Sequence, residues 1–171
     1  MSIKVNHNHQ LKVFIAGSKV LSEQRNILRA VLMRQQGLFN IMIEAKTFEE
    51  FSDSLIDGGA QKTLYNKYIA SEADIVVFVL DGSVGGFTKE EFYVAYNNYL
   101  LYKRPLIYVY CRQGEGATNI MEFKNELASR HQYYTEYADN MELERLFEKS
   151  INEYLINTFF IGCIRTPKEQ V

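Results

Sequence analysis

The chain has little cysteine, little histidine and almost no excess charge, and each shortage excludes a class of protein. Its 171 residues include two cysteines, Cys111 and Cys163, which lie far apart in apolar stretches. Neither they nor the three histidines (His7, His9 and His131) have the spacing of metal ligands, so we expect no metal site. A disulfide is not expected either, as in a reducing compartment. The formal net charge of −2 comes without any basic run, which disfavours a nucleic-acid partner.

Long apolar runs are also missing. No stretch approaches the ~18 uninterrupted apolar residues that span a bilayer, and the first residues, MSIKVNHNHQ, lack the apolar core of a signal peptide. We therefore expect a cytoplasmic protein without a membrane partner. With 47% apolar and 23% charged residues the composition is that of a globular protein. One domain is expected over residues 1–171, with tails at 1–10 and 165–171.

Several motifs that would define a nucleotide or hydrolase site are absent. The sequence has no GxxxxGK[ST], and its first predicted strand ends in AGSK rather than GxGxxG, which disfavours a P-loop hydrolase and a standard dinucleotide-binding fold. No carboxylate cluster follows that strand to hold magnesium, as a phosphoaccepting receiver requires. A GxSxG nucleophile elbow is missing as well. The chemistry that remains is that of carboxylates.

What the sequence does contain is an alternation of short apolar runs with longer segments of helical period. Such runs are typical of parallel strands covered on both faces, and the alternation predicts an α/β fold. We predict a flavodoxin-like three-layer sandwich with a five-stranded, mainly parallel sheet of order 2-1-3-4-5. The predicted strands are 11–17, 39–45, 74–81, 105–111 and an edge strand at 132–138. The predicted helices are 22–36, 61–71, 88–102, 118–130 and 140–160, with 46–59 as a loop that holds at most a short helix.

Helix ends are predicted from capping residues. Ser22, Thr88 and Thr118 are placed at N-caps because their side chains can accept a hydrogen bond from the first turn. Gly37 is placed at the end of the first helix. The buried stripe predicted for the third helix consists of Phe92, Ala95, Tyr96 and Tyr99.

The predicted strand order makes the first and third strands neighbours, and a crevice opens outside their carboxyl ends. Two glycine-bearing strand ends, AGSK at 16–19 and LDGSVGG at 80–86, are therefore predicted to meet there. Backbone donors at the start of the first helix, at Gly17 and Ser18, favour an anion. Asp81 can accept hydrogen bonds from ribose hydroxyls, although an Asp-Gly pair at a strand end is also ordinary turn chemistry.

The segment TKEE, at 88–91, admits two interpretations. Glu91 lies three residues after Thr88, which is the spacing of a capping box and needs no ligand. A carboxylate in the first turn of that helix can also face the crevice, so capping and chemistry do not exclude one another. Phe48 presents a similar choice, since a loop aromatic either stacks on a planar ring or packs on the core.

The stretch EADIVVFVLDGSVGGFTKEEFYVAYNNYLLYKRPLIYVY, 72–110, resembles the central motif of nucleoside 2-deoxyribosyltransferases and of the bacterial TIR-like domains related to them. The shared elements are an Ala-Asp before an apolar strand, an Asp-Gly exit, a helix opening with Glu91 and Ala95, and a basic residue before Pro105. KVFIAGS and KTFEEF also resemble parts of TIR-like domains. The likeness spans 12–111; the rest matches as fold.

This resemblance implies roles for particular residues. Glu91 corresponds to the helix-opening glutamate of both families, which acts at the anomeric carbon of a ribosyl group as nucleophile or as stabiliser of oxocarbenium-like charge. Glu90 is the less favoured neighbour. Asp81, with Gly82 and Ser83 at the same strand exit, would hold sugar hydroxyls. Gly17, Ser18 and Lys19 would line the ligand, and Phe48 would lie near the base.

The function expected from the resemblance is cleavage of an N-glycosidic bond. The first hypothesis is a bacterial TIR-type NAD glycohydrolase or cyclase, acting in anti-phage defence and dependent on self-association. NAD would be its substrate, and no cofactor is expected. Nucleoside 2-deoxyribosyl transfer is an alternative enzyme, and a non-catalytic nucleotide-binding or assembly module is the alternative of another class. The sequence departs from the TIR pattern by having no tryptophan, so the substrate stays open.

Overall fold

The computed structural model describes residues 10–50 and 58–160, which form a five-stranded sheet with helices on both faces. Short 3-10 turns follow the first and second strands at Lys19–Leu21 and Phe48–Glu50, and a π turn, Ile156–Phe160, ends the last helix. The strands are β1 (Gln10–Ala16), β2 (Met42–Lys46), β3 (Ile75–Leu80), β4 (Leu106–Arg112) and β5 (Thr135–Tyr137). The helices are α1 (Ser22–Phe39), α2 (Gly58–Ser71), α3 (Gly86–Tyr102), α4 (Thr118–Ser129) and α5 (Asn140–Leu155).

All four strand pairings are parallel, in the order β2-β1-β3-β4-β5. The predicted flavodoxin-like order is confirmed, and the first and third strands are neighbours, with Ala16 opposite Phe78. Short strand β5 lies at the edge, also as predicted. All six residues of β3 are buried, because helices cover both faces of the centre of a parallel sheet.

Alternate residues of the strands face two separate cores. On one face, Val13, Val77 and Val79 pack with apolar side chains of α1 and α5. On the other, Phe14 and Phe78 pack with side chains of α2, α3 and α4. A residue that continues a strand past its end therefore directs its side chain to the same face as the residue two positions before it.

Helix α1 begins at its predicted first residue and extends three residues beyond its predicted end. Ser22 is not the N-cap but the first helical residue, because the 3-10 turn before it leads directly into α1, with Leu21 at the N-cap. Gly37 does not end the helix. Asn40 does, in the left-handed region at φ 50°, where asparagine is tolerated. Phe39 is consequently helical, and β2 begins three residues later than predicted.

The N-cap predicted for α4 is wrong by one residue, since Ala117 occupies that position without a side-chain cap. Gln10, predicted in a tail, begins β1. The remaining tail positions, 1–9 and 165–171, lie outside the described residues, as do His7, His9 and Cys163.

Cys111 is buried as a free thiol on β4. Among residues 10–50 and 58–160 no three His, Cys, Asp or Glu side chains are grouped to hold a metal ion. Within the same ranges, every helix is too short or too polar to cross a bilayer.

Candidate active site at the carboxyl edge of the sheet

The ends of β1 and β3 are in close contact at Gly17. A Cβ atom at this buried position would lie 2.8 Å from Val79 Cγ1 and 3.1 Å from the Val79 carbonyl oxygen. Glycine therefore lets the two neighbouring strand ends approach each other. The predicted meeting of these two chain segments is found in the structure.

Ser18 and Lys19 follow at the open edge of the sheet. The Ser18 carbonyl oxygen accepts a hydrogen bond from the Leu21 N–H at 3.0 Å and another from Nη1 of Arg25. Lys19 is exposed. The loop after β1 is thus folded back on itself and tied to the first full turn of α1.

Arg25 joins this loop to the end of β2. Its Nη2 forms an ion pair with Glu49, and its guanidinium carbon lies 4.8 Å from the centre of the Phe48 ring. The Phe48 carbonyl oxygen accepts a hydrogen bond from the Tyr65 hydroxyl at 3.0 Å. Phe48 is half-buried against the core on the α2 face, so its ring is shared between that core and Arg25.

Sequence reasoning did not identify Arg25. The signal was its position three residues before Leu28, on the buried stripe of α1. A charged residue at such a position is unusual, since arginine is rarely fully buried unless it is paired.

The exit of β3 is a tight turn. The Ser83 N–H donates to the Asp81 carbonyl oxygen at 2.7 Å, and Gly82 adopts φ +67°, which a residue with a side chain rarely does. The Asp81 carboxylate accepts a hydrogen bond from Arg112 Nη1 at 3.0 Å. Both side chains remain partly exposed, so the turn presents a paired carboxylate at the edge of the sheet.

The loop after β3 is held by the start of α4. The Ala117 N–H donates to the Gly82 carbonyl oxygen at 2.7 Å, and Asn119 Nδ2 donates to the Val84 carbonyl oxygen at 2.9 Å. A Cβ atom at Gly116 would lie 3.1 Å from the Gly82 oxygen. The loop that leads into α3 is therefore held by residues at the start of α4, not by residues of α3 itself.

The capping box predicted for α3 is not formed. The helix begins at Gly86, with Gly85 at the N-cap and no side-chain cap, and its first backbone bond runs from the Lys89 N–H to the Gly85 carbonyl oxygen at 3.0 Å. Thr88 is consequently a buried residue of the first turn. The contact with α4 fixes the preceding loop, and the helix starts two residues before the threonine.

Glu91 is displaced by the same shift into the second turn of α3. It lies on the buried stripe with Thr88, Phe92 and Ala95, and its exposed fraction is 9%. Burial raises the pKa of Glu91 to about 8, and repulsion from Glu90 adds to the shift. Among the described residues the Glu91 carboxyl group has no hydrogen bond or ion pair, although a buried acid normally acquires one. A buried carboxyl group with a strongly raised pKa is a candidate functional residue.

Glu91 and Asp81 lie on opposite faces of the sheet. Asp81 continues the parity of Val77 and Val79, which face α1 and α5. Glu91 is on α3, which covers the other face. Its Cα lies about 8 Å along the helix from the first residue, given a rise of ~1.5 Å per residue. A ligand that contacts both side chains would therefore have to cross the carboxyl ends of the central strands.

No protein-family model matches the sequence, and no curated protein matches it. Solved structures do. A CMP N-glycosidase from Clostridium botulinum aligns with TM-score 0.53 at 14% identity, over 84% of this chain and 99% of that one. A TIR domain heterodimer (RPS4 and RRS1) aligns with TM-score 0.51 at 15% identity, over 89% and 99%. A conserved protein from Enterococcus faecalis V583 aligns with TM-score 0.50 at 15% identity, over 83% and 99%. The chain shares their fold.

Proposed function

We propose that the protein cleaves an N-glycosidic bond at the anomeric carbon of a ribosyl group, with NAD as the first candidate substrate and Glu91 as the catalytic carboxylate. The observation that carries the proposal is the environment of Glu91: a buried carboxyl group in the second turn of α3, with no partner among the described residues and a pKa raised to about 8. The fold shared with a CMP N-glycosidase and a TIR domain heterodimer supports it.

The chemistry follows from the charge that develops at the sugar. Departure of the base leaves an oxocarbenium-like ring, which a facing carboxylate stabilises as in glycoside hydrolysis. Glu91 is mostly neutral at pH 7 in the free protein. The positive nicotinamide ring of NAD, brought close to it, favours the ionised form and lowers its pKa. The substrate itself would then generate the anion that the reaction needs.

The remaining site residues receive binding roles in this proposal. Asp81, on the opposite face from Glu91, would accept hydrogen bonds from sugar hydroxyls of a ligand that crosses the carboxyl ends of the central strands, sharing its oxygens with Arg112. Gly82 and Ser83 form the turn beneath. The loop of Gly17, Ser18 and Lys19 would line the ligand, and Phe48 would lie near the base. Water or an internal hydroxyl group would then attack the anomeric carbon, giving hydrolysis or cyclisation.

A neutral base such as cytosine is the second candidate leaving group. A protonated Glu91 can donate its proton to such a base as it departs, in the manner of a glycosidase acid with a raised pKa. The raised pKa of Glu91 favours this alternative. Transfer of a deoxyribosyl group to a second base would use the same carboxyl group with a different acceptor.

Two observations support an enzyme over a non-catalytic module. Glu91 does not cap its helix, so the simplest structural role for it is gone. The two aromatic side chains most able to fill the crevice are also directed elsewhere. Phe87 is 71% exposed. Tyr96 stacks on Phe92, and its hydroxyl group donates a hydrogen bond to the Arg130 carbonyl oxygen.

The test is consumption of NAD, CMP and a deoxynucleoside with an added base, at high protein concentration because self-association is part of the proposal. Wild type, Glu91→Gln and the matched control Glu90→Gln are compared, with products identified by mass spectrometry. Glu91→Gln should lose about 10²-fold or more in kcat on the true substrate, with its circular dichroism unchanged, whereas Glu90→Gln stays active. Equal turnover by wild type and Glu91→Gln would refute the role of Glu91. No turnover of any substrate would favour the module.

The pH dependence separates the two leaving groups. The value of kcat/KM reports the protonation state of the free enzyme, in which the pKa of Glu91 is about 8. With NAD, which needs the ionised form, kcat/KM should rise with pH and level off above about 8. With CMP, which needs the proton, it should fall above about 8. A flat profile between pH 6 and 9 for the turned-over substrate would contradict both mechanisms.

A further inference from the structure

We propose that Arg25 is the positioning residue of this site: its guanidinium group holds the loop after β1 and the end of β2 in one arrangement, so that Ser18 and Phe48 meet the same ligand. The inference rests on the proposed function for its consequence in catalysis. Its structural content stands on the contacts of Arg25 alone, and it can be tested separately.

Arg25 spans a gap in the backbone pairing between β1 and β2. The β1–β2 ladder ends at Phe14 opposite Lys46. In the part of the chain that the structure describes, no backbone hydrogen bond joins residues 17–21 to residues 47–50. Arg25 joins them through its side chain, with Nη1 on the Ser18 carbonyl oxygen and Nη2 on Glu49.

The orientation of the Arg25 guanidinium group is fixed by its ring contact with Phe48 and by the orientation of its acceptor Glu49. Its carbon lies 4.8 Å from the centre of the Phe48 ring, a cation–π contact that adds to the planar fork of donors. The acceptor on the β2 side is oriented too, because the Thr47 hydroxyl donates to the other Glu49 oxygen at 2.7 Å. Rotation of Arg25 would therefore break contacts on both loops together.

The burial of Arg25 is energetically costly. Arg25 is 1% exposed, its Nε has no acceptor among the described residues, and its carboxylate partner Glu49 is 46% exposed. A buried ion pair adds little to stability compared with well-packed apolar residues. Such a pair instead holds its surroundings in one arrangement. Here it holds the loop after β1 and the end of β2, both of which are segments of the proposed site.

The test compares Arg25→Lys with Glu49→Gln, and uses Arg34→Lys as the matched control. Arg34 lies on the same helix and also bridges elements, through an ion pair at 2.8 Å with Glu144 on α5, but it is far from the loops in question. A lysine at 25 keeps the charge and loses the fork that reaches both Ser18 and Glu49. Glu49→Gln alters only a partly exposed partner, so it preserves the fold if Arg25→Lys does not.

The first readout needs no substrate. Amide hydrogen exchange should become about tenfold faster in both 17–21 and 47–50 in Arg25→Lys and Glu49→Gln, because these segments would open locally. Exchange there should be unchanged in Arg34→Lys. The double variant should add little to Arg25→Lys, since both changes break one network. The proposal would be overturned if exchange became faster in only one of the two segments or in neither. It would also be overturned if the effects of the two changes added in the double variant.

The second readout uses the substrate identified for the wild type. Here kcat/KM should fall about tenfold in Arg25→Lys, mainly through KM, because contacts made equally in ground and transition states affect binding. The inflection of the pH profile near 8 should stay in place, since Glu91 is untouched. Loosened loops with unchanged KM would refute the catalytic consequence. If the wild type turns over nothing, the exchange experiment still decides whether Arg25 joins the loops, so the two failures are distinguishable.

Discussion

Helices α3 and α5 contain the same short pattern near their starts, a residue of the capping type followed three positions later by glutamate, yet the two glutamates lie in opposite environments. In α5, Asp139 accepts a hydrogen bond from the Glu142 N–H at 2.9 Å, and the Glu142 carboxylate accepts one from the Ala138 N–H at 2.7 Å. In α3 the corresponding pair, Thr88 and Glu91, forms neither bond. One glutamate stabilises the start of its helix, while the other is buried inside the protein.

The difference shows what decides the start of a helix. The spacing of the capping residues is satisfied in both segments, but the loop before α3 is fixed by Ala117 and Asn119 at the start of α4. With that loop fixed, the first helical residue is Gly86, and Glu91 lies in the second turn on the buried stripe. A glutamate left there without a partner destabilises the fold, which is common for groups that serve function.

The largest expected effect is on the pH dependence of stability. The pKa of Glu91 is about 8 in the folded protein against its usual 4.5. The folded state therefore keeps a proton that the unfolded chain releases. As a result, the contribution of Glu91 to the free energy of unfolding falls as the pH rises from about 4.5 to 8. By pH 7 the loss is on the order of 3 kcal/mol.

Urea unfolding of wild type, Glu91→Gln and Glu142→Gln from pH 4.5 to 8.5 measures this loss. Glu91→Gln should show a flatter curve and exceed the wild type at the alkaline end. Glu142→Gln should keep the slope of the wild type, displaced downward by the weakened cap. Parallel curves for wild type and Glu91→Gln would mean that Glu91 is not held neutral.

The next effect in size tests the contact that sets the start of α3. A Cβ atom at Gly116 would lie 2.2 Å from Ile120 Cγ2 and 3.1 Å from the Gly82 oxygen, so Gly116→Ala should cost about 1–3 kcal/mol through overpacking. Gly86→Ala, with open space around its Cβ position, should instead stabilise by up to about 1 kcal/mol. Thermal unfolding of both variants measures the difference, and similar shifts in the same direction would count against an externally fixed loop.

The smallest effect contrasts the two capping residues themselves. Asp139→Ala should cost about 1 kcal/mol, because it leaves the Glu142 N–H without its acceptor. Thr88→Val keeps the buried volume and removes a hydroxyl that caps nothing, so it should change the free energy of unfolding by less than about 0.5 kcal/mol. Chemical denaturation gives both values. An equal cost at the two positions would indicate that Thr88 has a capping role after all.

The sheet was predictable from the sequence, because strand identity depends on local composition. The run at 75–80 is wholly apolar, and the parallel order follows from helices between strands. The meeting of AGSK with the exit of β3 follows in turn from strand order alone. These properties do not depend on the conformation of any one side chain.

The fine geometry of the site was not predictable, because it depends on contacts between segments distant in sequence. The start of α3, and with it the turn in which Glu91 lies, depends on Ala117 and Asn119, which no local pattern connects to α3. The pairing of Asp81 with Arg112 depends on two adjacent strands. Arg25 was not predicted because the buried stripe of a helix is recognised by its apolar residues. A charged residue at such a position is normally expected to face solvent, and the partners that allow its burial lie on other segments.

The neutral state of Glu91 also changes the charge of the resting protein. The formal net charge of −2 counts every carboxylate as ionised, whereas at pH 7 this one mostly holds its proton. The folded chain is therefore almost one unit less negative than its composition states. A cationic ligand that ionises Glu91 expels that proton into solution. The heat of binding then depends on the ionisation enthalpy of the buffer, and occupancy of the site can be followed by counting protons even when the ligand is not turned over.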